Sequence, residues 1–179
     1  MLRLPQVIKR LLVKYRFARA CPVTQNNILY DSSKSHMTSV RKAQASDIPT
    51  LLVTLENLTE VGAHDIKQAT QALDKIMSQD GHIFVAIKDE EVVGCCTLLI
   101  EQKLIHEQGL VGHIEDVATR KGFERQGVGK SVVSAAIDYA KERGCYKVIL
   151  DCAESVAPFY EKLGFYKKEL CMRKDTKRL

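Results

Sequence analysis

Residues 109–165 decide the fold, and they read GLVGHIEDVATRKGFERQGVGKSVVSAAIDYAKERGCYKVILDCAESVAPFYEKLGF. The stretch predicts a long strand over 109–118 and then a helix over 127–143, which Gly144 ends. The apolar stripe of this helix consists of Val128, Val132, Val133, Ala136, Ile137 and Ala140. An apolar run predicts a buried strand over 147–152, and a short helix is expected over 155–163. Gly164 and Phe165 then open a last strand that runs toward residue 172.

The residues before this stretch predict the other half of the domain. We expect a strand over 40–43, a helix from the capping Ser46 to residue 58, and a second helix over 65–77. Runs over 82–88 and 92–101 predict a β-hairpin with a short turn at 89–91. The order of strand, helices, three strands, helix, strand, helix, strand indicates a mixed α/β domain. It does not match a doubly wound dinucleotide fold, because the repeated βαβ units are missing.

The turn before the long helix, RQGVGK at 125–130, is suited to binding an anion. Its backbone N–H groups and the positive end of the helix dipole would converge on one spot, as a pyrophosphate requires. Gly127 and Gly129 allow a ligand to approach the backbone closely. The spacing is neither that of a P-loop nor that of a Rossmann turn, so two glycines that merely end a loop remain the alternative.

Length and composition favour one soluble domain. The 179 residues fit a single core, and no apolar run reaches the roughly 20 residues that span a bilayer. The net charge of +5 is uneven, since residues 1–37 carry +6 and the remainder carries −1. A nearly neutral folded part offers little affinity for nucleic acid, which we exclude as a partner.

The cysteines predict no metal site. The six thiols form no CxxC pair and follow no secretory signal, so we expect neither a metal nor a disulfide framework. Cys95, Cys96, Cys145 and Cys152 lie in or beside apolar runs. We therefore expect these four to be buried thiols in a reducing compartment.

The two ends of the chain carry weak targeting signals. Residues 1–37 form a basic N-terminal extension that ends in a polar linker, and Ile8, Leu11, Leu12, Tyr15 and Ala18 recur in it at helical spacing. This pattern resembles an organelle transit peptide of mitochondrial type, although a disordered extension ahead of an alternative start at Met37 fits as well. The last three residues, KRL, are a weak peroxisome- or glycosome-type signal. We expect a cytoplasmic or organellar protein whose folded domain spans 38–179.

The order of elements, together with FYEKLGF at 159–165, resembles the GNAT superfamily of N-acetyltransferases. Within it, four strings are similar to the glucosamine-6-phosphate N-acetyltransferases: KLIH at 103–106, GHIEDV at 112–117, GCYK at 144–147 and LDC at 150–152. The resemblance implies the GNAT acyltransferase fold, a mixed central sheet with splayed strands and flanking helices. It further implies acetyl transfer from acetyl-CoA to the amine of glucosamine 6-phosphate in a ternary complex, and a homodimer.

The resemblance also implies the residues of the site. The strand at Glu115, Asp116 and Val117 would pair with the pantetheine arm of acetyl-CoA, and Tyr160 would stabilise or protonate the leaving thiolate. The pyrophosphate would be held by Arg125, Gln126, Gly127, Val128, Gly129 and Lys130. Asp151 would orient the amino sugar. Spacing alone favours Tyr160 as a core aromatic residue between Phe159 and Phe165.

The expected amino-sugar contacts are spread along the chain. They are Thr59, Lys103, Leu104, Ile105, His106, Glu115, Asp116, Tyr146, Lys147, Asp151 and Arg173. Lys147 and Asp151 are candidates to serve the neighbouring subunit's site. His106 fits a simple turn residue as well, and Glu115 with Asp116 could act through their backbone alone.

Three positions depart from the family pattern. Glu124 stands where Gln or Arg is usual, and we expect Arg125 to compensate for this carboxylate near the pyrophosphate. Val156 replaces a frequent Asn, and Asp175 replaces an arginine for which Arg173, on the same strand face, is the substitute. An acetyltransferase for another amine, or a non-catalytic acyl-CoA-binding module, therefore stays open as an alternative.

Overall fold

The computed structural model describes residues 28–29, 38–62 and 65–176. Its strands are β1 (Ile28–Leu29), β2 (Ser39–Lys42), β3 (Gly81–Lys88), β4 (Glu91–Gln102), β5 (Leu110–Thr119) and β6 (Cys145–Leu150). Its α-helices are α1 (Ile48–Leu55), α2 (Ile66–Ser78), α3 (Val128–Glu142) and α4 (Ala157–Glu161). The predicted order of elements over 40–163 is therefore confirmed.

The six strands form one mixed sheet in the order β1 to β6. All neighbours are antiparallel except β5 and β6, which run parallel. The β3–β4 hairpin turns at Asp89 and Glu90, both with positive φ, whereas Glu91 already belongs to β4. Strand β1 pairs with β2 from within the segment that the sequence predicted to be a linker, so the sheet begins before residue 38.

The sheet is packed on both faces. Helix α3 covers one face with its buried stripe, whose members Val132, Val133, Ala136 and Ala140 are the residues that the periodicity predicted. Helices α1 and α2 cover the other face, where Leu51 and Leu73 meet Val85 and Val92. Since β4 lies in the middle, its residues are buried on both sides.

The start of the first helix differs from the prediction. Residues 45–47 form a 3-10 turn, and α1 begins only at Ile48. Asp47 accepts hydrogen bonds from the Gln44 N–H at 2.7 Å and from the Arg41 guanidinium at 2.6 Å. These bonds hold the tight turn, so Ser46 does not cap the helix. Asp65 caps α2 by accepting from the Gln68 N–H.

Two predictions for the C-terminal part were wrong. Strand β6 is not buried: it is the edge of the sheet, and Tyr146, Lys147 and Ile149 are exposed. The apolar run reflects only the side that packs against α3. Residues 165–176 form no strand within the described part of the chain, because nothing there pairs with them.

The cysteines are also more varied than expected. Cys95 and Cys96 are buried and Cys145 is partly buried, but Cys152 and Cys171 are exposed. Cys152 lies beyond the end of β6, where the sheet no longer covers it. Cys21, the predicted basic helix and the C-terminal KRL lie outside the described residues, and localisation stays a prediction. No helix among the described residues is long and apolar enough to cross a membrane.

Candidate functional site

The site is built around a gap between two parallel strands. Strands β5 and β6 pair only from Leu110 to Ile114, opposite Cys145 to Leu150. Strand β6 then ends, whereas β5 continues to Thr119, still paired with β4. The side of β5 that faces the gap, from Glu115 onward, therefore has free backbone groups that an extended ligand can pair with.

A bulge shapes the beginning of this free edge. The β4–β5 register shifts between Cys95 and Thr97, and Asp116 takes a left-handed conformation with φ of 51°. A bulge re-aims the backbone and is common beside active sites. Val117 packs partly against the core. Glu115 is not free, since its Oε1 lies 3.1 Å from Nε2 of His113.

The glycine turn leads directly from β5 into α3. Gly127 is the N-cap residue of α3 with φ of 84°, and no side chain caps the helix. The first-turn N–H groups are thus available to an anion at the positive end of the helix. A Cβ on Gly129 would lie 3.3 Å from the Thr119 hydroxyl, so glycine permits close packing there. Val128 is buried, whereas Arg125, Gln126 and Lys130 are exposed.

Tyr160 lies in the core. It is 8% exposed, and its ring contacts Phe159 and Phe165 edge to face. Since every fully buried side-chain oxygen of the described residues has a hydrogen-bond partner, the Tyr160 hydroxyl, which has none, is not fully buried. Burial, followed by Cys152, raises the pKa of Tyr160 to about 12. The phenol is therefore a proton-bearing donor at neutral pH, and the core and functional interpretations are compatible.

Asp151 follows the last residue of β6 and is exposed. The Asp151 carboxylate raises the pKa of the Cys171 thiol, and Glu115 adds to the effect. Glu115 also raises the pKa of Tyr160, after larger contributions from burial and from Cys152 and Cys96. Asp151 thus lies where β6 ends and the gap opens, and Glu115 begins the unpaired part of β5.

The other expected sugar contacts lie at the opposite end of β6. The ring of His106, in the loop between β4 and β5, packs on Tyr146 with centroids 4.8 Å apart. Lys147 Nζ lies 5.7 Å from the centre of the same ring. Lys103 pairs with Glu101 at 2.5 Å. Lys147 and Tyr146 precede Asp151 by four and five residues, so in the same subunit they lie roughly 13 and 17 Å from it along β6.

The remaining candidates are dispersed. Leu104 and Ile105 are 89% and 64% exposed. Thr59 is exposed in the loop after α1, where it lines a shallow depression. Arg173 donates to Asp175 at 2.7 Å, so the two residues neutralise each other. Since residues 165–176 form no strand, the expected placement of Arg173 on a strand face was wrong.

The sequence did not predict three contacts of the site. Glu124, expected to be unfavourable near a pyrophosphate, accepts the Gly122 N–H at 2.7 Å. Asn57 donates to the Thr119 carbonyl at 2.7 Å. The third is electrostatic: the Asp151 carboxylate raises the pKa of the Cys171 thiol. For Glu124 the available signal was the nearby Gly122, because a carboxylate in a tight turn often accepts neighbouring backbone N–H groups.

Over 38–62 and 65–176, no group of three or more His, Cys, Asp or Glu side chains could hold a metal ion. Val156, at the N-cap of α4, supplies no side-chain hydrogen bond.

Known proteins share this sequence pattern and geometry. The sequence model of the "Acetyltransferase (GNAT) family" matches residues 51–165. A glucosamine 6-phosphate N-acetyltransferase of Arabidopsis thaliana is 34% identical over 140 residues, which cover 75% of this chain and 94% of the relative. The Candida albicans enzyme of the same name is 38% identical over 64% of this chain and 78% of its own.

The fold is equally similar to a solved structure. The crystal structure of glucosamine-6-phosphate N-acetyltransferase from Arabidopsis thaliana superimposes with a TM-score of 0.75 at 32% identity. The match covers 78% of this chain and 99% of that one.

Proposed function

The chain belongs to the GNAT family of acetyltransferases, and on that premise we propose that it transfers the acetyl group of acetyl-CoA to the amine of glucosamine 6-phosphate. The observation that carries the proposal is the gap between β5 and β6, with Asp151 directly after the end of β6. The relatives that carry this name support the choice of sugar.

The residues present fit acetyl-CoA. The uncapped first turn of α3 suits the pyrophosphate, and the exposed Arg125 and Lys130 add positive charge nearby. The free edge of β5 beyond Ile114 can pair with the amide groups of the pantetheine arm. When bound, acetyl-CoA supplies an acyl group that is already activated, so the protein has chiefly to position the amine and stabilise developing charge.

The reaction forms a bond between the nitrogen of the neutral amine and the acetyl carbon and breaks the carbon–sulfur bond. Nitrogen loses one proton to solvent and the expelled thiolate takes one up from solvent, so the products are the amide and the CoA thiol. Asp151 holds the amine near the opening through its carboxylate. Backbone N–H groups of the bulge at Asp116 are suited to stabilise an oxyanion. Tyr160 keeps its proton and donates a hydrogen bond to the departing sulfur.

The amine substrate is tested by ranking kcat/KM for glucosamine 6-phosphate, glucosamine, other amino sugars and a peptide N-terminus. We expect the sugar phosphate to rank first, because the basic cluster at Lys147 and His106 suits a phosphate group. A peptide or an unphosphorylated sugar in first place would contradict the proposal and favour the alternative of another amine.

We also propose that the active protein is a homodimer. Lys147 and the loop over 103–106 lie toward the start of β6, whereas Asp151 follows its end. The outer edge of β6 has no strand partner among the described residues. A second copy placed along this edge would bring its own cluster toward the first subunit's gap, and a two-fold axis would complete both sites.

Mixed dimers test this arrangement. Tyr160→Phe and Lys147→Ala are placed on differently tagged chains. Each homodimer should be nearly inactive, because both of its sites lack a residue. The purified heterodimer then has one intact site and should regain about half of the wild-type activity. A heterodimer no more active than its parents would contradict the shared site.

A further inference from the structure

Glu124 is turned back into its own loop. Its Oε2 accepts the Gly122 N–H at 2.7 Å. Hydrogen bonds from its own backbone N–H and from that of Gly122 hold the pKa of Glu124 below its usual range. The carboxylate is therefore bound by N–H groups that precede the glycine turn, and those of the first turn of α3 are left for a ligand.

A second side chain, that of Gln126, also binds the loop at Gly122. The Gln126 side-chain amide donates to the Gly122 carbonyl at 2.9 Å, so two side chains of the turn bind both polar groups of Gly122. Gly122 and Arg125 both have positive φ, at 91° and 61°. Such a backbone is held in place by its surroundings, and here the two side chains supply much of that restraint.

Asn57 connects this turn to the loop that follows α1. Its Nδ2 donates to the Thr119 carbonyl at 2.7 Å and lies 3.4 Å from Oε1 of Glu124. Asn57 follows the end of α1, two residues before Thr59 and beside the depression that Thr59 lines. One amide thus bridges the end of β5, the cofactor turn and the loop expected to contact the sugar.

We infer that Asn57 and Glu124 are a positioning pair that couples the acetyl-CoA turn to the amino-sugar loop, so that each ligand strengthens the binding of the other. The inference rests on the proposed function. Ligand binding orders the loop on one side, and the shared amide transmits that order to the other side. Coupling of this kind is reciprocal, and a typical value is about 5-fold or more.

The test uses CoA, which cannot donate an acetyl group, so that a stable ternary complex forms. The Kd of CoA is measured by calorimetry without and with saturating glucosamine 6-phosphate. In the wild type we expect the sugar to lower the Kd by about 5-fold or more. In Asn57→Ala this ratio should approach one. Gln71→Ala, at an exposed position of α2, is the matched control and should keep the wild-type ratio.

Two variants of Glu124 distinguish a role in positioning the turn from an effect of its negative charge alone. Glu124→Gln keeps an oxygen that can accept the Gly122 N–H and should retain most of the coupling. Glu124→Ala opens the turn and should both weaken CoA binding and remove the coupling. A ratio in Asn57→Ala equal to that of the wild type, even with both affinities lowered, would overturn the inference.

Failure of the proposed function and failure of the inference about Asn57 and Glu124 can be distinguished, because turnover is measured on the same wild-type sample. A wild-type protein that does not acetylate glucosamine 6-phosphate contradicts the proposed function. A wild-type protein that does acetylate it but shows no coupling contradicts only the pairing of Asn57 and Glu124.

Discussion

Tyr160 combines two properties that a residue rarely has together. Its ring belongs to the core between Phe159 and Phe165, and its hydroxyl is free to interact with a ligand. Burial raises its pKa to about 12, so its proton is retained throughout the range in which an amine becomes neutral. Packing therefore fixes the position of the donor, and burial keeps it protonated.

Removing this hydroxyl should affect turnover more than binding. Tyr160→Phe keeps the ring packing but loses one hydrogen bond to a charged leaving group, so kcat should fall by about 10-fold to 100-fold. The KM for acetyl-CoA should change little, as steady-state kinetics can establish. Tyr166→Phe, at a residue that is 77% exposed, is the control. A kcat in Tyr160→Phe equal to that of the wild type would show that Tyr160 is only a core residue.

At the residue scale, the sequence indicated which residues are candidates for the chemistry, but it indicated poorly which atoms their side chains contact. The functional interpretation of Tyr160 and Asp151 came from the resemblance to the acetyltransferases, and it stays a prediction. The expectation for Glu124 counted its charge without its geometry, and the contact with Gly122 was missed. Whether a carboxylate faces a ligand or its own backbone depends on the φ angles of the turn, which spacing does not reveal.

The position of α3 relative to the sheet depends on one glycine. A Cβ at Gly94 on β4 would overlap the side chain of Val128, the first and almost fully buried residue of α3. Glycine thus allows the helix to start close to the sheet, which places its first-turn N–H groups beside the end of β5.

Gly94→Ala should therefore displace the start of α3. We expect the protein to lose about 1–3 kcal/mol of stability through overpacking. The KM for acetyl-CoA should rise, because the anion site moves with the helix. Denaturant unfolding and steady-state kinetics measure the two effects. Gly94→Ala combined with Val128→Ala removes the overlap and should be more stable than Gly94→Ala alone, and the opposite order would contradict this account.

The other end of α3 contains a pH-sensitive contact. His82 on β3 packs edge to face against Tyr139, with centroids 4.6 Å apart, and lies 3.3 Å from Asp80. Arg143 binds Asp80 with two bonds of 2.7 Å. Burial, and then the Lys42 ammonium, lower the pKa of His82, and Asp80 opposes the shift only in part.

Neutral His82 is therefore the form that the fold prefers. Its contribution to stability is present above its unfolded pKa of about 6.5 and is lost as the pH falls through its lower folded pKa. Between about pH 8 and pH 5, His82→Gln should lose stability less steeply than the wild type. Lys42→Met should also be shallower, since it removes a cation that opposes protonation. Thermal unfolding measured across this pH range tests the prediction. If stability depends on pH as steeply in both variants as in the wild type, His82 is not the group responsible.

At the element scale, periodicity predicted the helices and most strands because their apolar faces pack on one continuous sheet. It did not distinguish the edge strand β6 from a buried strand, since an apolar run has the same composition in either place. The prediction of a last strand toward residue 172 was wrong for a related reason. Composition suggested a strand there, but none of the described strands pairs with these residues.

At the scale of the whole molecule, exposed apolar residues lie at both ends of β6. Leu104 and Ile105 flank the end where the strand begins, and Leu170 and Met172, both 93% exposed, flank Cys171, the thiol whose pKa Asp151 raises at the other end. Large apolar side chains exposed this fully near an unpaired strand edge favour a contact with a second copy.

A charge within this surface should break the dimer. Leu170→Asp should shift the protein toward monomer in light scattering, and the activity per chain should fall because each site then lacks its partner's contribution. Met77→Asp, at an exposed position of α2 on the other side of the sheet, should stay dimeric and active. A fully active Leu170→Asp monomer would show that one subunit holds the complete site.

The account as a whole depends on acetyl transfer to a phosphorylated amino sugar. The most direct measurement is CoA release from acetyl-CoA with glucosamine 6-phosphate, with glucosamine and with no sugar, together with mass spectrometry of the product. The account predicts N-acetylglucosamine 6-phosphate and a kcat/KM that is highest for the phosphorylated sugar. CoA release that is no faster with glucosamine 6-phosphate than without sugar would contradict it.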